Sequence, residues 1–312
     1  MRPCERAPSA AWQTMAAEQL WPHVGARATS SLAADLELPI MSHYDSVTSH
    51  SAYTTIVRDW MVGSSFHSYV HILRPLLARS CERARQTRNA GRRPSCVYVE
   101  LGSFCGASLG LALSYPGLTR AVSISVEEAG LLLGYKSGEA LRQNVRCLNV
   151  HNRTAVKLID QPSKHAVSAL VEALQGEQVD VLLIDADHHK ASVLSDVHMY
   201  APFVRAGGAI LLDDYRDNKF SPGVGQAARH LQATGVCRAT SRTGSGGGGG
   251  GKGNFTCLGH LPNVANATTT CAYSPIFWKT IAKALRKDRN AMRAACEQPP
   301  SALSNEFVMI KR

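Results

Sequence analysis

Apolar positions along this chain recur with two different periods, and the switches between them lay out most of the elements. From 64 to 88, Phe66, Tyr69, Val70, Leu73, Leu76 and Leu77 fall at three-and-four spacing, which predicts an amphipathic helix. Pro75 inside it predicts a kink, and Asn89, Ala90 and Gly91 supply a stop. Short apolar runs then alternate with helical patterns. Strands are predicted over 97–101, 121–126, 155–159, 179–184 and 209–212. Helices are predicted over 106–114, 138–148, 163–174, 189–204 and 224–231. A strand followed each time by a helix builds a doubly wound, mostly parallel α/β sheet of the Rossmann-like class. Residues 306–310 read as one last strand. In such sheets ligands bind beyond the carboxyl ends of the strands, so the chemistry is expected there.

The same pass divides the chain. Residues 1–52 read as a disordered or loosely packed lead-in and 53–93 as an N-terminal helical segment. Residues 94–236 form the α/β core, 237–304 a Gly-rich linker with a basic helical insertion, and 305–312 the final strand. The run 244–253 is nearly pure Gly. Its Gly246, Gly251 and Lys252 have the spacing of a phosphate-binding loop. Gly253 stands where a Ser or Thr would hold magnesium, and no strand leads into the run, so that reading is set aside. Over 275–296 a basic amphipathic helix is predicted, with Ile276, Phe277, Ile281, Leu285 and Met292 on its apolar side.

Composition narrows the class. The chain has 312 residues, 45% of them hydrophobic, ample for a core. No apolar run approaches the ~18–20 residues of a membrane span. The first residues lack the apolar stretch of a secretion signal, so a cytoplasmic location is expected. Organellar targeting is the alternative, weakened by Glu5, Glu18, Asp35 and Glu37 in the lead-in. Nine cysteines form no Cys-x-x-Cys pair, and reduced thiols are expected.

The net charge of +10 invites a nucleic-acid reading. Its distribution answers it. Residues 1–93 carry +4, 94–236 carry −2 and 237–312 carry +8. The core is slightly acidic, and the basic excess lies in two flanking stretches.

Two turns carry the candidate chemistry. The first strand runs into Glu100-Leu101-Gly102-Ser103-Phe104-Cys105-Gly106. Its Gly-x-x-x-Gly spacing, with an acid just before, is not the Gly-x-Gly-x-x-Gly of a pyrophosphate turn. The fourth strand ends at Asp185-Ala186-Asp187-His188-His189 and the fifth at Asp213-Asp214-Tyr215. Parallel strands put both ends on one edge, so four carboxylates converge. Unrelieved, they repel, and a divalent cation such as Mg²⁺ would relieve them.

In this order the motifs resemble class I S-adenosylmethionine-dependent methyltransferases, and more narrowly the macrocin O-methyltransferase-like branch of small-molecule enzymes. The likeness spans about 94–235. It implies S-adenosyl-L-methionine as cofactor, with Glu100 and Gly102 beside its methionine and ribose and Ser103 and Gly106 in the same loop. It implies a divalent cation held by Asp185, Asp213 and Asp214, with Asp185 also at the cofactor's edge. Asp187 is then a base or substrate contact, and His188 a second catalytic candidate. One departure stands out. The acid that usually bridges the ribose hydroxyls is replaced by Ser125, with Glu127 just beyond as a substitute. Asp160 is assigned to the adenine side.

The function this implies is O-methylation of a hydroxylated small molecule, assisted by the cation. Two alternatives are carried. One is a non-catalytic binding or scaffold protein on the same fold. The other is a nucleic-acid methyltransferase, disfavoured by the acidic pocket and by the lack of an Asn/Asp-Pro-Pro-aromatic signature after the fourth strand. Oligomeric state is not legible.

Overall fold

The structure is a computed structural model that describes residues 64–65, 68–86, 95–126, 137–149, 154–215, 221–239, 254–262, 272–273 and 303–312. The lead-in over 1–52, the Gly-rich run, the basic helix over 275–296 and Glu127 lie outside them.

The alternation read from the sequence is present. Strands β2 (Val97–Leu101), β3 (Arg120–Ile124), β4 (Ala155–Ile159), β5 (Val179–Ile184) and β6 (Val204–Leu212) lie in the order β4-β3-β2-β5-β6, each parallel to its neighbours. Between and around them run α1 (Ser68–Gln86), α2 (Ala107–Leu113), α3 (Ser137–Leu148), α4 (Val167–Leu174), α5 (Lys190–Tyr200) and α6 (Pro222–Ala233). Helix α1 is assigned as one helix through Pro75.

Strand residues alternate between two cores because successive side chains point to opposite faces. Tyr98, Ala121, Val181, Leu183, Ala209 and Leu211 pack against α1, α2 and α3. Val97, Val99, Leu101, Val122, Ile124, Leu182 and Ile184 pack against α4, α5 and α6. At the amino ends of the strands, buried Asp180 accepts from the backbone N–H of Val97 and pairs with Arg205 at 2.6 Å. This ion pair ties β2, β5 and β6 together at the edge away from the site.

Beyond β6 the sheet departs from expectation. The last strand, β10 (Leu303–Lys311), inserts antiparallel between β6 and β8 (Phe255–Pro262), and β7 (Cys237–Ala239) pairs parallel with β8 at the edge. The sheet is therefore mixed and has eight strands among the described residues. Two of them come from a stretch the sequence reading gave to linker and insertion. A small separate pair joins β1 (Ser64–Ser65) to β9 (Ala272–Tyr273).

Four of the cysteines meet in pairs. Cys81 lies against Cys96 and Cys237 against Cys257, with Cα atoms 5.0 and 5.3 Å apart. The partners are 15 and 20 residues apart in sequence and meet only through the packing of α1 on β2 and of β7 on β8. Cys105 is free and buried.

Candidate functional site

A cavity of about 510 Å³ opens at the carboxyl ends of five neighbouring strands. The turn after β2 supplies Gly102, Ser103, Phe104 and Cys105; the end of β3 supplies Ile124, Ser125 and Val126. Gln161, Pro162 and Ser163 come from the loop after β4, Asp185 and Asp187 from that after β5, and Asp213 and Asp214 from that after β6. This is the crevice the parallel alternation requires.

The β2 turn is held from below. Glu100 is wholly buried, and its Oε2 accepts from Tyr98 Oη at 2.6 Å and Ser108 Oγ at 2.7 Å. Burial raises its pKa, against the hydrogen bonds that lower it. It does not line the cavity wall. Glu100 anchors the turn that Gly102 and Ser103 carry to the surface.

Gly102 has φ 86°, and a Cβ there would lie 1.9 Å from the carbonyl oxygen of Asp185. Its N–H donates to Ile124 at 2.8 Å, while the Asp185 N–H donates to Leu101 at 2.8 Å. The missing side chain thus seats the turn on the end of β5 and draws three strand ends together. Gly106, φ 81°, starts α2 where a Cβ would meet Leu141 at 2.6 Å. Ser103 is buried with its Oγ 2.5 Å from Ser123 Oγ. Cys105 reaches the cavity, but burial pushes its thiol up to about 12, so it stays protonated at neutral pH.

The acidic end is organised around one imidazole. His188 Nε2 lies 3.1 Å from Asp185 Oδ1, and its Nδ1 lies 3.4 Å from Asp214 Oδ2. Ser221 Oγ lies 2.8 Å from His188 Nδ1 and donates to Asp214 Oδ2 at 2.9 Å. The Asp185 hydrogen bond raises the His188 pKa, with the charges of Asp185, Asp214 and Asp187 adding, against burial. Asp214 adopts φ 56°, the left-handed region that Asp tolerates better than most residues.

The two catalytic candidates have different surroundings. Asp187 Oδ1 accepts from the His189 backbone at 3.1 Å and meets His189 Nδ1 at 2.6 Å, and its Oδ2 accepts from Ser192 at 2.6 Å. Burial raises its pKa, but those bonds outweigh burial and hold it down to about 2. His188 is not on the cavity wall but lies against Asp185 and Asp214, which are. Asp160 is exposed and off the wall, which Gln161, Pro162 and Ser163 line. Ser125 is on the wall.

A shared cation does not fit these residues. Among the described residues no three His, Cys, Asp or Glu side chains are grouped to hold one. Asp185 and Asp214 are separated by the His188 ring.

Sequence reasoning missed Gln161, Pro162 and Ser221. Only Ser221 carried a signal, since Ser followed by Pro opens a helix, here α6.

Residues 99–215 match a family model described as a methyltransferase domain. That stretch runs from β2 to just past β6 and contains the cavity. An uncharacterized protein of Acanthamoeba polyphaga mimivirus is 28% identical over 177 residues, 57% of this chain and 72% of that protein. Among solved structures, an O-methyltransferase from Bacillus cereus in complex with SAH shares 14% identity at a TM-score of 0.38, covering 76% of this chain and 90% of that one. An O-methyltransferase from Streptomyces achromogenes involved in tomaymycin synthesis, in complex with SAM, shares 11% identity at a TM-score of 0.39, covering 76% and 89%.

Proposed function

We propose that this chain is an S-adenosylmethionine-dependent methyltransferase that acts on a hydroxyl of a small molecule. The observation that carries the reading is the cavity itself: a glycine turn at one end, acids at the other, within the stretch that matches a methyltransferase domain.

The residues present fit the cofactor. Gly102 offers backbone without a side chain, Ser103 and Ser125 offer hydroxyls, and Gln161 and Ser163 line the far side. Those residues would hold S-adenosylmethionine, which when bound supplies a methyl group already activated on a sulfonium. The chain's own work is then alignment. Ile124, Val126 and Pro162 form apolar wall that excludes water. Asp185 and Asp214 accept a hydrogen bond from the acceptor hydroxyl and take its proton as the oxygen is methylated. His188, hydrogen-bonded to Asp185 and linked to Asp214 through Ser221, orients both. No step is routed through a divalent cation. Sugar diols and catechols present two neighbouring hydroxyls to the two carboxylates on this wall, and the macrocin-like branch is the narrower form of this reading.

The test is methyl transfer from labelled S-adenosylmethionine to a panel of sugars, catechols and other hydroxylated compounds, with calorimetric titration of S-adenosylhomocysteine. Binding together with transfer to oxygen is expected. A folded protein that binds neither cofactor form would establish the scaffold alternative instead.

A further inference from the structure

We propose that His188 takes the place a divalent cation would occupy between Asp185 and Asp214, so that this chain positions its acceptor without a bound metal. The inference deepens the methyltransferase reading and rests on it for its turnover arm only.

The geometry is that of a closed clasp. One ring nitrogen faces Asp185 Oδ1 at 3.1 Å, and the other faces Asp214 Oδ2 at 3.4 Å and Ser221 Oγ at 2.8 Å. A carboxylate oxygen only accepts, so Nε2 faces Asp185 as an N–H donor, while Nδ1 reaches Asp214 through the Ser221 hydroxyl. Ser221 closes the circuit by donating to the same oxygen of Asp214. Magnesium requires oxygens converging at about 2.1 Å on one point. With a five-membered ring between them, these two carboxylate oxygens converge on the ring instead.

The ring's backbone is also built in. A Cβ on Gly223 would lie 2.3 Å from the carbonyl oxygen of His188 and 2.5 Å from the Lys190 nitrogen. The first turn of α6 therefore packs directly on the chain at His188, and Ser221 sits just before that turn. Swinging the imidazole out for a cation would break contacts to Asp185, Asp214 and Ser221 together. Of the other acids on the cavity wall, Asp187 is engaged by His189 and Ser192, and Asp213 is buried just after β6.

The experiment uses metal-stripped protein. Manganese titration followed by electron paramagnetic resonance should leave the free-ion signal undiminished, and turnover in EDTA should stay within twofold of turnover with added magnesium. In His188→Ala the two carboxylates lose their bridge. That variant should gain a manganese site and a rise in melting temperature on adding magnesium that the parent lacks. One manganese bound per parent chain, or turnover abolished by EDTA and restored by magnesium, would overturn the proposal. The manganese titration of the parent decides it even if the variant fails to fold or no acceptor is found. Failure to bind S-adenosylhomocysteine counts against the methyltransferase reading alone.

Discussion

Glu100 and Asp196 show what burial does to a carboxylate that composition alone treats as charged. Glu100 accepts from Tyr98 and Ser108 on Oε2, while its Oε1 is buried without a hydrogen-bond partner. Its raised pKa favours the neutral acid. Glu100→Gln keeps an oxygen for both donors and should hold stability within about 1 kcal/mol of the parent. Glu100→Ala orphans two buried hydroxyls and should cost roughly 3 kcal/mol or more. Urea unfolding separates the two. Asp196, on α5, is 2% exposed, and burial raises its pKa to about 6. The folded chain thus holds this proton more tightly than the unfolded chain. Its contribution favours folding below the ordinary carboxylate range and is lost as pH rises from about 4 to about 6. The loss is on the order of 3 kcal/mol at most. Relative to Asp196→Asn, the parent's unfolding midpoint should fall over that window; parallel profiles would refute the assignment. Neither role was legible in the sequence. An acid before a glycine turn looks the same whether it faces a ligand or the core, and Asp196 lies on a helix without any motif.

At the scale of elements, the strand–helix alternation was legible because both periods are local. The ends moved by a few residues, and 189–204 proved to be α5 followed by a short turn of 3-10 helix, with β6 starting at Val204. Strands β7 and β8 were missed. They flank a Gly-rich run, across which β7 pairs with β8, while β8 pairs with the distant β10. How elements meet depends on single glycines. Gly102→Ala puts a methyl against the Asp185 carbonyl at a φ that L-residues avoid. It should lower the melting temperature by several degrees, a loss of about 2–3 kcal/mol or more, and weaken S-adenosylhomocysteine binding at least tenfold. Calorimetry and thermal unfolding read both. Gly176→Ala, where a Cβ meets nothing within 4 Å though φ is 80°, should leave binding unchanged and cost only its backbone strain.

For the whole molecule, the last strand decides completeness. Phe307, Val308, Met309 and Ile310 are buried in the middle of the sheet, between β6 and β8. Each contributes about 1.5–3 kcal/mol of burial, comparable in sum to the total stability of an ordinary domain. A chain ending at residue 302 should therefore fail to fold, seen as insolubility or loss of cooperative unfolding in circular dichroism. Lys311 adds a tie, its Nζ donating to the carbonyls of Ala201 and Pro202 at 3.1 and 3.2 Å. No helix among the described residues is long and apolar enough to cross a membrane. The basic excess belongs to the stretches on either side of the slightly acidic core.

By itself the sequence determined the parallel core, the edge that carries the cavity and the acids gathered there. Each follows from period, strand direction and residue type, which are properties of short segments. Only the tertiary structure decided what those acids do. It buried Glu100 beneath its turn, engaged Asp187 with His189 and Ser192, and set His188 between Asp185 and Asp214. It also carried a strand from the end of the chain into the middle of the sheet. These outcomes depend on which side chains meet across loops far apart in sequence, and no local pattern encodes that distance.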